Sequence, residues 1–209
     1  MHVVAIVCAY NEAPRIGRVL EVLLTYPGFS KIIAVDDGST DGTADIGAQS
    51  GAQVIRLGVN KGKGEAMQAG VEATDAEVFF FCDADIVGLT HDIIQKTLQP
   101  VLTEEKDMFI AARAEKERRY LGFTYSPLFD GQRAVRRELW EQVPARYKKA
   151  FAIEAALNHI AIRSPRGLGY ALYPITQTRK EEKQGYWKGS LARLDMCSQI
   201  VATKISLYV

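Results

Sequence analysis

Asp83 and Asp85 stand one residue apart at the end of an apolar, aromatic-rich run, Val78-Phe79-Phe80-Phe81-Cys82. Such a run reads as a buried central strand. Alternate residues of a strand point to the same side, so carboxylates at i and i+2 just past its end can converge on one point. Converging carboxylates repel each other unless a cation lies between them. Hard oxygen donors suit Mg²⁺ or Mn²⁺, above all where phosphate oxygens complete the shell. The pair is read as the holder of a metal–diphosphate; the blander alternative is helix capping or loop solvation.

Three further stretches carry polar chemistry. Ala9-Tyr10-Asn11-Glu12 follows the apolar run that starts at Val3. An aromatic ring there can lie against a base while polar neighbours meet its edge; a turn with a helix cap is the alternative. Asp36-Asp37-Gly38-Ser39-Thr40-Asp41-Gly42 puts three carboxylates in one short loop. A carboxylate accepts the N3–H of uracil or the N–H groups of guanine, while Asp36 or Asp41 can instead cap the next helix. Asn60-Lys61-Gly62-Lys63-Gly64-Glu65 suits phosphate. Its glycines admit the backbone closely, and Lys63 can neutralise a diphosphate ahead of a helix N-terminus. The Walker pattern is absent, and no Gly-x-Gly-x-x-Gly follows the first strand, which argues against a Rossmann dehydrogenase.

The elements that position these stretches alternate. Strands are expected at Val3–Ala9, Lys31–Val35, Val54–Leu57 and Phe79–Asp85, each of the first three followed by a helix. Asn11 is expected to cap the first helix, with Pro14 in its first turn. Strand–helix alternation argues for an α/β fold with a mostly parallel sheet flanked by helices. In such sheets ligands bind outside the carboxyl ends of the strands, where all the polar loops fall. Further on, helices are expected at Thr90–Leu102, Arg133–Gln142, Phe151–Ile162 and Ser190–Val209, and strands at Asp107–Ala112 and Tyr170–Ile175. The Arg113–Arg119 run carries both signs of charge and reads as a solvated face. The basic Arg179–Lys188 stretch reads either as a closure over the diphosphate or as a solvated loop. The last helix is amphipathic. It is expected to dock on its own core, with pairing to a second copy (a homodimer) or a membrane surface as alternatives.

Composition sets outer limits. The chain has 209 residues and a net charge of +1, so nothing global points to nucleic acid. No run approaches the roughly 18 apolar residues of a transmembrane helix. Its three cysteines lack metal-ligand spacing, and with no signal peptide they point to a reducing, cytoplasmic setting. His2, His91 and His159 read as surface or helix histidines.

Taken in order, Ala-Tyr-Asn-Glu, Val-Asp-Asp-Gly-Ser-Thr-Asp-Gly-Thr, Asn-Lys-Gly-Lys-Gly-Glu-Ala and Asp-Ala-Asp resemble the motifs of the family 2 glycosyltransferases, which have the GT-A nucleotide-sugar-binding fold. Beyond Asp85 the chain is similar to dolichyl-phosphate sugar synthases and to glucosyl-3-phosphoglycerate synthases, the latter through Pro127-Leu128-Phe129-Asp130-Gly131. The resemblance implies a metal-dependent transfer of sugar from a UDP- or GDP-sugar to a hydroxyl or a phosphate-bearing acceptor, either a small molecule or a lipid phosphate. It implies nucleotide contacts at Ala9, Tyr10, Asn11, Glu12, Asp37, Lys63, Asp83 and Ala84, and Mg²⁺ or Mn²⁺ on Asp85 and Asp83. It also implies acceptor-side work, as orienting group or base, for Glu154. Relatives complete the metal shell with a Gln two residues after Asp-x-Asp or with a late His. Here Val87 holds the first place and the late segment has no His, so Gln177 is taken as the neutral substitute, with water as the alternative. Ala152 replaces the Gly that precedes the acid. The expected layout is one domain over 1–209, with a nucleotide-sugar half at 1–112 and an acceptor half at 113–209. A nucleotidyltransferase and a catalytically silent nucleotide-sugar-binding module are the rival readings.

Overall fold

The computed structural model describes residues 1–114, 119–120, 123–124, 126–178 and 186–208. A seven-stranded sheet organises them. Its strands are β1 (Val3–Ala9), β2 (Lys31–Asp36), β3 (Gln53–Arg56), β4 (Val78–Asp83), β6 (Met108–Arg113), β9 (Arg133–Arg136) and β10 (Leu168–Tyr173). They lie in the order β10-β6-β9-β4-β1-β2-β3. All run parallel except β9, which is antiparallel to both β4 and β6. Two short strands, β5 (Ile86–Val87) and β11 (Thr176–Gln177), pair antiparallel beside the end of β4, and β7 (Arg119–Tyr120) pairs with β8 (Phe123–Thr124).

The sheet is buried on both faces, which is why β1 and β4 are apolar almost throughout rather than alternating. On β4, Val78, Phe80 and Cys82 face one cluster while Phe79 and Phe81 face the other. The first cluster is closed by α1 (Ala13–Thr25) and α4 (His91–Leu102), the second by α3 (Lys63–Glu72), α5 (Arg137–Glu141) and α6 (Ala152–Arg163). α2 (Thr43–Gln49) connects β2 to β3. The parallel α/β architecture expected from the sequence is therefore present.

Two expectations are corrected. Arg133–Gln142 is not one helix: its first four residues form β9, and only 137–141 are α-helical. Arg133 and Arg136 are helix formers by local propensity, but a place between β4 and β6 and buried partners for both override it. Arg136 donates to the Val101 carbonyl (3.1 Å) and reaches Glu104 (3.2 Å). Asn11 does not cap α1. It takes a left-handed φ of 54°, its side-chain oxygen accepts from the Thr40 N–H (2.9 Å), and Glu12 is the residue that precedes the helix. Pro14 does occupy the first turn.

The last helix, α7 (Tyr186–Tyr208), packs on α6, with Leu207 against the second cluster, and its Ser206 Oγ pairs with the hydroxyl of Tyr147 (2.8 Å), in the turn before α6. Its opposite face leaves Trp187, Leu191, Val201 and Ile205 exposed. Among the described residues no helix is long and apolar enough to cross a membrane. Most of the basic stretch, residues 179–185, and residues 115–118 of the mixed charge run lie outside the described residues.

Candidate active site

Strand register aligns the polar loops. Ala9 pairs with Asp36 and Cys8 with Asp83, so β1, β2 and β4 end at one level. Into that edge comes the start of α3. Its first turn lies against residues 148–150: the Gly64 N–H donates to the Ala150 carbonyl (3.0 Å), and Glu65 accepts from the Ala150 N–H (3.1 Å). A Cβ on Gly64 would stand 2.6 Å from the Lys149 nitrogen, so only glycine lets these backbones approach this closely. Ala150 takes a φ of 40°, a strained value for a residue with a Cβ. This contact sets Lys63, at the start of α3, beside Glu154, in the first turn of α6.

Lys63 Nζ donates to Asp83 Oδ1 (2.6 Å) and to Glu154 Oε1 (2.7 Å). Burial works against the charged form of Lys63, but the charges of Asp83 and Glu154, and the hydrogen bonds to them, outweigh it. They lift the group well above the usual lysine range, so it is an ammonium at any physiological pH.

The other oxygen of Asp83 accepts from Gln132 Nε2 (3.1 Å) and Gln177 Nε2 (3.1 Å). The Gln177 nitrogen also donates to Asp85 Oδ1 (2.9 Å). Pairing of β11 with β5 sets Gln177 opposite Ile86 and so beside Asp85, which is 3% exposed. An amide nitrogen thus bridges the two carboxylates. Half a turn of that amide would present its oxygen to the same place. Asp83, Asp85 and Gln177 then make an all-oxygen set that fits Mg²⁺ or Mn²⁺, with phosphate and water oxygens needed to fill it. Among the described residues no cluster of three or more His, Cys, Asp or Glu offers an alternative metal site.

The model described as glycosyl transferase family 2 matches residues 4–160. The chain belongs to that family. Similar proteins include an uncharacterized protein of Methanocaldococcus jannaschii, 35% identical over 111 residues, 52% of this chain and 45% of that one. Another is the glucosyl-3-phosphoglycerate synthase of Mycolicibacterium smegmatis, 30% identical over 46% of this chain and 34% of its own. A third is the human dolichyl-phosphate beta-glucosyltransferase, 30% identical over 54% of this chain and 41% of its own. The matches therefore span less than half the length of these relatives. Among solved structures, the glucosyl-3-phosphoglycerate synthase of Mycobacterium tuberculosis in complex with Mn²⁺, uridine-diphosphate-glucose and phosphoglyceric acid superposes with a TM-score of 0.80. That match covers 99% of this chain and 79% of that one at 22% identity, a likeness of fold.

The residues expected on the nucleotide side of this family 2 chain differ in exposure. Tyr10 is 45% exposed at the mouth of β1, with its ring available to a base. Glu12 is buried in an ion pair with Arg15. Asp37 is buried and holds the glycine-rich loop: one oxygen accepts from the Lys61 N–H (2.8 Å), the other from the Gly62 N–H (2.8 Å). Burial nonetheless raises its carboxyl above the ordinary value. Asp41 accepts from the Thr43 N–H (3.1 Å) at the start of α2, but the residue that caps this helix is Gly42, in a left-handed conformation. Asp36 accepts instead from Ser39 N (3.2 Å), within its own loop. Ala9 accepts the Asp37 N–H (2.8 Å), and Ala84 is buried between the two acids. Burial pushes the thiol of Cys8 up to about 12.

Gln132 and Arg133 were not singled out from the sequence, yet Gln132 donates to Asp83 and Arg133, the next residue, is buried on β9. The available signal was Gly131. A Cβ there would fall 2.0 Å from Asp83 Oδ2, and Asp83 is held from three sides. Gly131→Ala should therefore cost about 1–3 kcal/mol, as overpacking does. It should also weaken divalent-ion binding by displacing Asp83. Thermal unfolding with and without Mg²⁺ checks both effects.

Proposed function

We propose that this chain transfers a sugar from a UDP- or GDP-sugar to a hydroxyl or phosphate-bearing acceptor, either a phosphorylated small molecule or a lipid phosphate. One observation carries the reading. Lys63 Nζ joins Asp83, at the expected diphosphate site, to Glu154, at the expected acceptor site, within 2.6 and 2.7 Å. Donor and acceptor chemistry can thus share one point.

Asp83, Asp85 and Gln177 are the residues that would hold Mg²⁺ or Mn²⁺. The ion, when bound, offsets negative charge on the departing diphosphate. Lys63 adds a fixed positive charge in a water-poor site, where it acts far more strongly than in bulk water. Tyr10 stacks on the base. Glu154 orients an acceptor hydroxyl or takes its proton once Lys63 turns to phosphate. In this reading residues 1–112 bind the nucleotide sugar and 113–209 the acceptor, within one domain. The exposed Trp187, Leu191, Val201 and Ile205 of α7 offer a surface for a homodimer. The reading sets the enzyme in the cytoplasm, with any membrane contact peripheral.

A thermal-shift panel of UDP-, GDP- and ADP-sugars, with and without Mn²⁺, tests the donor. A ligand at a hundred times its Kd adds about 2.7 kcal/mol. For a chain of this size that raises Tm by about 5–10 °C. We expect such a rise for a UDP- or GDP-sugar with Mn²⁺ and little without it. Turnover should release free nucleoside diphosphate; release of pyrophosphate would instead identify a nucleotidyltransferase.

A further inference from the structure

Beneath the site lies a second cation that the sugar-transfer reading does not use. Arg133, on β9, is 0% exposed. Its Nη2 donates to the carbonyls of Asp130 (2.6 Å) and Leu128 (3.4 Å), and its Nη1 to Asn158 Oδ1 (3.3 Å). Asn158 Nδ2 closes the set by donating to the same Leu128 carbonyl (2.7 Å). Among the described residues Nε–H has no partner. A fully buried guanidinium held by carbonyls and an amide, with one donor spare, is an expensive way to fill a core position. Burial does push its ionisation down, and the fields of Glu154, Asp83 and Asp130 oppose that shift.

The partners show what the fork connects. Leu128 and Asp130 belong to the turn that begins at Pro127. The next residue, Gly131, lies against the Asp83 carboxylate, and Gln132 donates to it. Asp130 is itself tied down, accepting from the Arg113 N–H (2.8 Å) and Arg113 Nε (2.5 Å). Asn158 is on α6 one turn beyond Glu154, on the same helix face. One planar group therefore binds the wall behind Asp83 to the helix that carries Glu154. Lysine has no such fork.

We propose that Arg133 is a positioning residue: by clamping the 127–131 turn to α6 it sets the separation between Asp83 and Glu154. It touches neither donor nor acceptor. What the separation serves rests on the proposed sugar transfer, whereas the clamp itself rests on geometry alone.

Arg133→Met keeps the volume and removes the fork, Arg133→Lys keeps the charge alone, and Asn158→Leu removes the far end of the clamp. The probes are UDP with Mg²⁺ for binding, by calorimetry, and UDP-glucose for turnover, by release of UDP. All three variants should bind UDP within about twofold of the unchanged chain, because the base and phosphate contacts are untouched. All three should lose about 10–100-fold in kcat, the scale of a misplacement near 1 Å. Arg133→Met/Asn158→Leu should be no worse than either single change, as expected for two ends of one device. Hydrogen exchange in residues 126–131 should quicken in Arg133→Met and Asn158→Leu while β1 and β4 stay protected. UDP affinity falling as far as turnover, restoration of kcat by Lys, or multiplying losses in the double variant would each overturn the proposal. If the unchanged chain turns over neither UDP- nor GDP-sugars, the transfer reading fails, and unchanged exchange in 126–131 would still sink the clamp.

Discussion

Asp85→Asn is expected to lower turnover of the nucleoside-diphosphate sugar by about 10²–10³-fold, the loss seen when one fixed electrostatic contact to a developing charge is removed. The fold should survive. Asp85 is buried beside Asp83, and Asn is close to it in volume and can keep the contact that now runs from Gln177 to Oδ1. Removing one of two converging negative charges relieves repulsion, so Tm in divalent-free buffer should hold or rise. The extra Tm that Mg²⁺ or Mn²⁺ adds in the presence of UDP should disappear. Gln177→Ala should act in the same direction but more weakly, because the ligand it is proposed to supply is neutral. Equal turnover in chelator and in Mn²⁺ buffer by the unchanged chain would remove the metal from the scheme.

β1, β2 and β4 were legible because strands buried on both faces write themselves as unbroken apolar runs, and the polar loops follow directly at their ends. Asp83 and Asp85 were legible for the same reason. Gln177 was reached through a pattern of relatives, not through its own segment: β11 is two residues long and pairs with a strand equally short, so no periodicity announces it. β9 was misread because Val135 and Leu139 fall at helical spacing and Arg133, Ala134 and Arg136 around Val135 are helix formers. Only the gap between β4 and β6 makes them a strand. The same error hid Arg133, since a polar residue in a supposed amphipathic helix is assigned to solvent, and Gln132 stood just ahead of that helix with no pattern of its own. Both are buried. What escaped is thus the polar layer behind Asp83, where partners are brought together from separate stretches of chain.

That layer makes Lys63 the most consequential single side chain. Lys63→Met should abolish detectable sugar transfer and cost about 3–5 kcal/mol of stability, the loss found when one partner of a buried ion pair is removed. At about 2–4 °C per kcal/mol for a chain of this size, Tm should fall by about 6–20 °C. The cause is that Lys63 is shared: without it the ammonium contacts that Asp83 makes at 2.6 Å and Glu154 at 2.7 Å are both lost. The pH dependence follows in sign. In the unchanged chain the raised Lys63 ionisation contributes stability that is fully present below its unfolded value and is lost only as pH rises through the folded one. Between pH 5 and 8 that contribution is flat. In Lys63→Met one orphaned carboxylate gains by taking a proton that the unfolded chain does not hold, so the variant should recover stability as pH falls from 8 to 5. Adding Glu154→Gln to Lys63→Met removes one orphaned charge and should restore part of the lost Tm with no return of activity. If Lys63→Met unfolds at the same temperature as the unchanged chain at both pH values, the ammonium does not hold these two acids together, and the shared point between donor and acceptor chemistry is lost with it.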